Sequence, residues 1–334
     1  MTTSFPIIDL RELEEGSQRQ ERLAELRHTV HEIGFFYLVG HGARGAEELL
    51  DQVRQFFSLP EAEKLQLSIL NSPHFRGYSD LAREITDGKA DGRQQLDVGP
   101  EYPDRVIGLD EPHYRWLAGP NQWPASLPGL QPVVLDWIAQ MTVLGGRMLR
   151  LILEALETPR DYLDDLIEPN PHPHFKLLHY PGPGPDDPRV MDQGVGIHRD
   201  QGLLTFVLQD HHGGLQVEVE PGQFEEVSEI PGTLVVNLGE LLEVATRGYL
   251  RATTHRVVRP PSGVHRYSAG LFYNPRLEAT MRSLPSPYVT ASPGVIHNPD
   301  NPLFEGYGDN VMKGMCRGFP DVVARHHPQW LVEA

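Results

Sequence analysis

The sequence predicts a fold that is mainly β with α, in which a helix-rich N-terminal half packs on a β core. In the first half, apolar residues recur at helical spacing. After residue 171, short apolar stretches alternate with turn residues, which is typical of a sandwich or barrel. The 334 residues are 39% hydrophobic and 22% charged, which is enough to bury a large core. No internal repeat is visible, so we expect one compact body.

Three amphipathic stretches predict the helices of the N-terminal half. The first, "RQERLAELRHTVHEIG", ends at Gly34 and leads into a short buried strand, "FFYLV". The second, "AEELLDQVRQFFSLP", stops before Pro60. The third is long, and its broad apolar stripe from Val134 to Ala155 is interpreted as core. Between the second and third helices, residues 71–128 are rich in proline and glycine, which favours an irregular covering segment.

Short strands are predicted throughout the second half. They are "HFKLLHYPG", "LLTFVLQD", "GGLQVEVE", "GTLVVNLG", "ATTHRVVRP" and "RYSAGLFYNP". The stretch "LQDHHGGLQV" is interpreted as a hairpin, because turn residues separate two apolar runs.

Charge and composition exclude several classes of function. The formal net charge of −17 argues against nucleic-acid binding and against anchoring on anionic lipid. The chain has no long apolar run and does not begin with a signal-peptide pattern. The single cysteine, Cys316, makes a disulfide framework impossible. We therefore expect a cytoplasmic protein that binds neither nucleic acid nor membrane, and no obligate protein partner is evident from the sequence.

Two metal-binding side chains stand two residues apart in "GVGIHRDQGLLTFVLQD". On a strand, His198 and Asp200 would share one face. A later strand, "ATTHRVV", offers His255 as a third ligand. Two imidazoles and a carboxylate on one side of a divalent ion form the facial triad of non-haem Fe(II) oxygenases. The alternative is a core histidine at 198 and a turn-capping aspartate at 200.

The next strand adds a cation and a hydroxyl. Arg266 and Ser268 again share a face, and an inward-pointing arginine needs an anion. A guanidinium beside a hydroxyl suits a carboxylate. The alternative is an internal salt bridge to aspartate or glutamate.

These motifs, in this order, resemble the 2-oxoglutarate/Fe(II)-dependent dioxygenases of the isopenicillin N synthase type. The resemblance extends from "FPIIDL" and "HEIGFFYLVGHG" to "HRYSAGLFYNP". It implies a double-stranded β-helix, or jelly roll, with iron at one mouth. The residues that match iron ligands are His198, Asp200 and His255. Those that match a 2-oxoglutarate site are Arg266, Ser268 and Tyr180.

The resemblance also implies the organisation and the reaction. It places a helix-rich region with covering loops at 1–165, the jelly-roll core at 171–280, and a C-terminal extension near the active-site mouth at 281–334. Fe(II), 2-oxoglutarate and O₂ would oxidise a C–H bond of a small molecule, such as an amino acid or secondary metabolite, with release of succinate and CO₂. Hydroxylation, desaturation and cyclisation all remain open. The alternatives are a same-fold Fe(II) oxidase that does not use 2-oxoglutarate and a non-catalytic jelly-roll binding protein.

One stretch departs from the plant pattern. Many plant members carry Asn-Tyr-Tyr-Pro where this chain has Leu-His-Tyr-Pro at 178–181. This stretch and "GYSDLAREITDGKAD" are closer to bacterial members, including the ethylene-forming enzyme. By resemblance, residues 74–93 cover the iron mouth; the alternative is a solvated surface loop. The residues expected to contact substrate are Glu84, Thr86, Lys176 and His179.

Lys176 raises a separate question of charge. Strand alternation places it on the same face as Tyr180, so the resemblance implies that both point into the barrel. A buried ammonium needs an anion. An internal carboxylate, 2-oxoglutarate and an acidic group of the substrate are the three alternatives.

Overall fold

A computed structural model describes residues 5–86, 88–104, 107–108, 110–182, 193–290, 292, 295, 304 and 306–331. Its strands are β1 (Ile7–Asp9), β2 (Phe35–Val39), β3 (Gly77–Ser79), β4 (Ile85–Thr86), β5 (Lys89–Ala90), β6 (Gln94–Val98), β7 (His174–Pro181), β8 (Val195–His198), β9 (Leu204–Gln209), β10 (Leu215–Glu220), β11 (Gln223–Glu226), β12 (Leu234–Leu238), β13 (His255–Val257) and β14 (His265–Tyr273). Its α-helices are α1 (Leu10–Glu14), α2 (Arg19–Glu32), α3 (Ala46–Ser58), α4 (Glu61–Gln66), α5 (Leu130–Ala155), α6 (Asp164–Ile167), α7 (Glu240–Ala245), α8 (Pro287–Thr290), α9 (Tyr307–Gly318) and α10 (Pro320–His326). Short 3₁₀ helices cover Ile69–Asn71, His113–Leu117 and Pro328–Leu331.

Two mostly antiparallel sheets form the β core. The larger has the order β1-β2-β12-β9-β14-β7-β6-β3, and the smaller has the order β11-β10-β13-β8. Apolar side chains of both sheets share one buried cluster, which includes Tyr180, Val195, Val217 and Val235. This arrangement agrees with the predicted jelly roll.

The long helices cover the outer face of the larger sheet. Helix α5 contacts α2, α3, β9 and β14, and its apolar stripe is buried as predicted. Side chains along strand β7 point alternately into two different buried clusters. Phe175 and Leu177 belong to the helix-side cluster, whereas Leu178 and Tyr180 belong to the cluster between the sheets. Even-numbered residues of β7 therefore face the barrel interior.

Two predictions of local structure are wrong. The run 194–210 is not one strand, because β8 ends at His198 and a turn precedes β9. The stretch "LQDHHGGLQV" is not a hairpin: β9 pairs with β12 and β14, while β10 pairs with β11 and β13 in the other sheet. The connection thus crosses between sheets, which a jelly roll requires.

The segment 71–128 also contains more structure than expected. Strand β6 pairs with β7, and β3 pairs with β6, so both extend the larger sheet. Both strands are short and largely polar, so the sequence contains no clear apolar alternation that would predict them. Within the described part of the chain, no helix combines the length and apolar character needed to cross a bilayer.

Candidate metal centre

Three metal-binding side chains meet where β8 ends and β13 begins. The two strands are antiparallel, and His255 lies directly opposite His198. Asp200 follows two residues after β8, in the turn before β9. One ligand atom from each of the three residues lies within 4.8 Å of the others. Arg199 points away from them and pairs with Glu240, at 2.7 Å from Nη2 to Oε1.

Backbone carbonyls orient both imidazoles. Nδ1 of His198 lies 2.9 Å from the carbonyl oxygen of Gly196, and Nδ1 of His255 lies 3.0 Å from that of Thr253. A carbonyl oxygen can only accept, so each Nδ1 carries the proton. Each Nε2 is left with a free lone pair, which is what a metal ligand needs.

The two oxygens of the Asp200 carboxylate also have different surroundings. Its Oδ2 accepts hydrogen bonds from the Thr205 hydroxyl at 2.5 Å and from Asn237 Nδ2 at 2.8 Å. Its Oδ1 lies 3.7 Å from Nε2 of His198 and 3.8 Å from Nε2 of His255. One oxygen is therefore held by the protein and the other faces the two imidazoles. Sequence analysis missed Thr205 and Asn237, although each is a polar residue within an apolar strand.

The charges of the three groups suit a cation. Burial, together with the neighbouring His255, lowers the pKa of His198 to about 4, so its imidazole is neutral near pH 7. Burial alone would raise the pKa of Asp200. The two imidazoles and the hydrogen bonds from Asn237 and Thr205 outweigh burial and lower it, so the carboxylate is ionised. Two imidazoles and one carboxylate form the donor set that a divalent iron prefers.

Arg266 lies deeper, between the sheets, with its side chain 1% exposed. Its Nη1 donates to the Ser268 hydroxyl at 3.1 Å and its Nη2 to Gln209 Oε1 at 3.2 Å, while Nε has no partner. The guanidinium lies over the ring of Tyr180, which is the residue opposite in β7. Among the described residues, no carboxylate forms an ion pair with Arg266. The internal salt bridge considered above is therefore absent among these residues.

A cavity of about 860 Å³ opens beside the triad. Its wall includes His198 and Asp200. It also includes residues of the β4–β5 segment, and His174 and Lys176 in the first half of β7. Helix α9 contributes Gly314 and Met315 to the wall. The cavity is large enough for a small-molecule substrate and places it next to the metal-binding atoms.

The residues expected to contact substrate divide into two groups. Glu84, Thr86 and Lys176 line the cavity. Lys176 Nζ pairs with Glu84 at 2.9 Å to Oε2, and Arg93 Nη2 reaches the same oxygen at 2.6 Å. The internal carboxylate, one of the three alternatives for Lys176, is therefore its partner. The Thr86 hydroxyl donates to Asp91 Oδ2 at 2.8 Å.

His179 belongs elsewhere, which corrects its assignment to substrate. As an odd-numbered residue of β7, it faces the helices. Its ring stacks on Tyr267 and contacts Phe57, while its nitrogens bond to Gln94 and His265. Burial lowers its pKa to about 3, so it is a neutral core histidine. Alternation in β7 separates it from Lys176 and Tyr180.

Comparison with known proteins identifies the family. Residues 171–275 match the 2OG-Fe(II) oxygenase superfamily, and residues 5–126 match the N-terminal region described as that of a non-haem dioxygenase in morphine synthesis. A 2-oxoglutarate-dependent dioxygenase, frbJ of Dothideomycetidae sp. (strain 11243), is 37% identical, over 85% of this chain and 77% of the relative. A 2-oxoglutarate-dependent dioxygenase of Gibberella zeae is 31% identical, over 98% of this chain and 92% of the relative. The crystal structure of a full-length Neurospora crassa protein in complex with alpha-KG and thymine is 26% identical with a TM-score of 0.74, covering 93% of this chain and 96% of that one.

Proposed function

Since the chain belongs to the 2OG-Fe(II) oxygenase superfamily and is an Fe(II)- and 2-oxoglutarate-dependent dioxygenase of small molecules, we propose that His198, Asp200 and His255 hold its iron. The observation that carries this assignment is that one metal-binding atom from each of these three residues lies within 4.8 Å of the others. The hydrogen bonds on the remaining Nδ1 and Oδ2 atoms support it, because they fix which atoms face the ion.

Arg266, Ser268 and Tyr180 would bind the distal carboxylate of 2-oxoglutarate. Support comes from the buried guanidinium, whose Nε has no partner and which has no carboxylate beside it among the described residues. When bound, iron with its co-substrate supplies the oxidation of a C–H bond with release of succinate and CO₂. The chain's own residues orient the iron and the 2-oxoglutarate, and they exclude water from the cavity.

The dioxygenase assignment fits the relatives better than the two alternatives, the 2-oxoglutarate-independent oxidase and the non-catalytic binding protein. Two finer predictions stay proposals. The protein is cytoplasmic, as its reduced single cysteine suggests. Its substrate carries a carboxylate, and the cavity wall contains a cation other than Lys176 that can bind it, namely Arg76. The resemblance to bacterial members and to the ethylene-forming enzyme stays a prediction.

The iron assignment is tested by Asp200→Ala and His255→Ala. Each variant should lose bound iron, measured by metal analysis after anaerobic loading and desalting, and should lose 2-oxoglutarate turnover, measured as succinate per O₂ consumed. His212→Ala is the matched control, because that histidine is also beside an aspartate, Asp210, at 3.1 Å. Full iron content and turnover in His255→Ala would show that the assignment is wrong.

A further inference from the structure

Two buried arginines in the wall of the cavity differ in their partners. Arg93 pairs with Glu84 at 2.6 Å and with Asp91 at 3.2 Å. Burial alone would lower its pKa, but the two carboxylates raise it above the ordinary range. Arg76 is more deeply buried, at 1% exposure against 9% for Arg93, and no carboxylate among the described residues lies within ion-pair distance of it. Burial therefore lowers the pKa of Arg76.

The contacts of Arg76 fix its position and leave donors unused. Nη1 lies 3.3 Å from Nδ1 of His174, and Nη2 donates to the carbonyl oxygen of Leu117 at 3.2 Å. Nε is buried without a partner. His174 in turn donates from Nε2 to Asp97 at 2.8 Å, so its Nδ1 is an acceptor for the guanidinium. Asp97 also acts on Arg76 through space, but the two do not form an ion pair among the described residues.

A hydroxyl donor lies near this cation. Tyr307, at the start of α9, is 2% exposed and lines the same cavity. Burial raises its pKa well above the ordinary range, against the opposing effect of nearby Arg76, so the hydroxyl keeps its proton. No side chain among the described residues accepts a hydrogen bond from it. A guanidinium and a phenol O–H in the wall of one cavity can both donate hydrogen bonds to a carboxylate.

Several apolar and aromatic side chains line the cavity together with Arg76. The ring centroids of Phe272 and His174 are 6.0 Å apart, and Phe319 and Met315 line the same cavity. The cavity is continuous from these residues to His198 and Asp200. A ligand held by its acidic end at Arg76 would therefore extend its apolar body towards the metal centre.

We propose that Arg76, with Tyr307, is the carboxylate receptor for the primary substrate, which is a small organic acid with an apolar or aromatic body. This inference rests on the proposed function, because it uses the same cavity. It replaces Lys176, whose charge is already paired with Glu84.

The experiment compares acids with their primary amides. The protein is loaded with Fe(II) and saturating 2-oxoglutarate under anaerobic conditions, and binding is measured by calorimetry. The probes are benzoate, phenylacetate and 3-phenylpropanoate, each against benzamide, phenylacetamide and 3-phenylpropanamide. At least one acid should bind about tenfold or more tightly than its amide, because only the acid forms charge-assisted hydrogen bonds. If no acid binds more tightly than its amide, the receptor is overturned without any variant.

Variants then locate the preference. Arg76→Gln should abolish the difference between acid and amide. Tyr307→Phe should weaken acid binding by about threefold or more while leaving the binding of the amide unchanged. Arg83→Gln, which alters an exposed ion pair with Asp321, should keep the wild-type preference. An acid preference that survives in both Arg76→Gln and Tyr307→Phe would refute the assignment.

The inference and the proposed function fail in different ways. Uncoupled conversion of 2-oxoglutarate to succinate, measured without any probe, reports on the iron and 2-oxoglutarate sites and does not involve the proposed receptor. Normal uncoupled conversion with no acid preference would overturn only the Arg76 receptor. Loss of iron retention in the wild-type protein would instead overturn the metal site.

Discussion

Lys176 Nζ lies 3.0 and 2.9 Å from the two carboxylate oxygens of Glu84, so a cation and an anion that both line the substrate cavity are partners of each other. Arg93 binds the same carboxylate from the other side, and Asp97 lies 3.7 Å from the ammonium. The pair joins the β4–β5 segment to strand β7. It therefore fixes the segment that carries Thr86 against the barrel.

Removing the ammonium should destabilise the protein. In Lys176→Met, Glu84 keeps only Arg93, and breaking a buried ion pair costs about 3–5 kcal/mol when no second partner remains. We expect a loss of about 2–3 kcal/mol in the free energy of unfolding, measured in urea. Iron content should not change.

The matched control is the double variant Lys176→Met with Glu84→Gln, which removes both charges. It should recover part of the loss, and the coupling free energy from the double-mutant cycle measures the pair. Full stability in Lys176→Met, or no coupling in the cycle, would contradict a structural ion pair.

Acid should weaken the same contact. Burial alone would raise the pKa of Glu84, but Arg93 and Lys176 outweigh it, so the folded-state pKa lies below the ordinary value of 4.5. A depressed carboxyl pKa contributes stability that is fully present above the unfolded value and lost as the pH falls through the folded one. Wild-type stability should therefore fall below about pH 4.5. The fall should be shallower in Glu84→Gln, as measured by urea unfolding at a series of pH values. Parallel curves for the two proteins would exclude this contribution.

Strand periodicity predicted the residues whose positions depend only on alternation. It placed Arg266 with Ser268, and Lys176 with Tyr180, on shared faces. The same rule, applied to His198 and Asp200, gave the right neighbours for the wrong reason. The strand ends at His198, and the turn rather than the pleat brings Asp200 back to the two imidazoles.

The partners contributed by the loops could not be predicted in this way. Arg76, Asp97 and Arg93 lie in the proline- and glycine-rich stretch that periodicity describes only as irregular. The contacts of Arg76 and Asp97 with His174, and of Asp97 with Lys176, depend on strand β6 pairing with β7. The short, largely polar sequence of β6 does not predict this long-range pairing. Charge partners across such a distance in sequence follow from topology rather than from local pattern.

Replacing Arg266 should weaken co-substrate binding. Arg266→Gln removes the buried guanidinium that is proposed to hold the distal carboxylate, and loss of a charge-assisted contact costs roughly 2–4 kcal/mol. The half-saturating concentration of 2-oxoglutarate should rise by well over about tenfold, measured by succinate formation. Arg256→Gln is the control, because its guanidinium lies over Phe224 and bonds to Gln216 instead. Unchanged 2-oxoglutarate dependence in Arg266→Gln would move the co-substrate site elsewhere.

Asn237 offers a test of how the carboxylate ligand is oriented. Its Nδ2 donates to Oδ2 of Asp200 at 2.8 Å, which leaves Oδ1 facing the imidazoles of His198 and His255. Partners that orient a metal ligand typically change metal affinity by about 10- to 100-fold when removed. Asn237→Ala should therefore weaken Fe(II) retention by about that factor, measured by anaerobic competition with a chelator. Thr205→Val, which removes the other hydrogen bond to Oδ2, should act in the same direction.

The control for both variants is Asn71→Ala, an exposed asparagine whose amide bonds only to the carbonyl oxygen of Gln66 among the described residues. Thermal melting of the metal-free proteins separates orientation from stability, because a general loss of packing would lower the melting temperature without iron. If Asn237→Ala and Thr205→Val both retain iron as the wild type does, the hydrogen bonds to Oδ2 do not orient Asp200 for the metal.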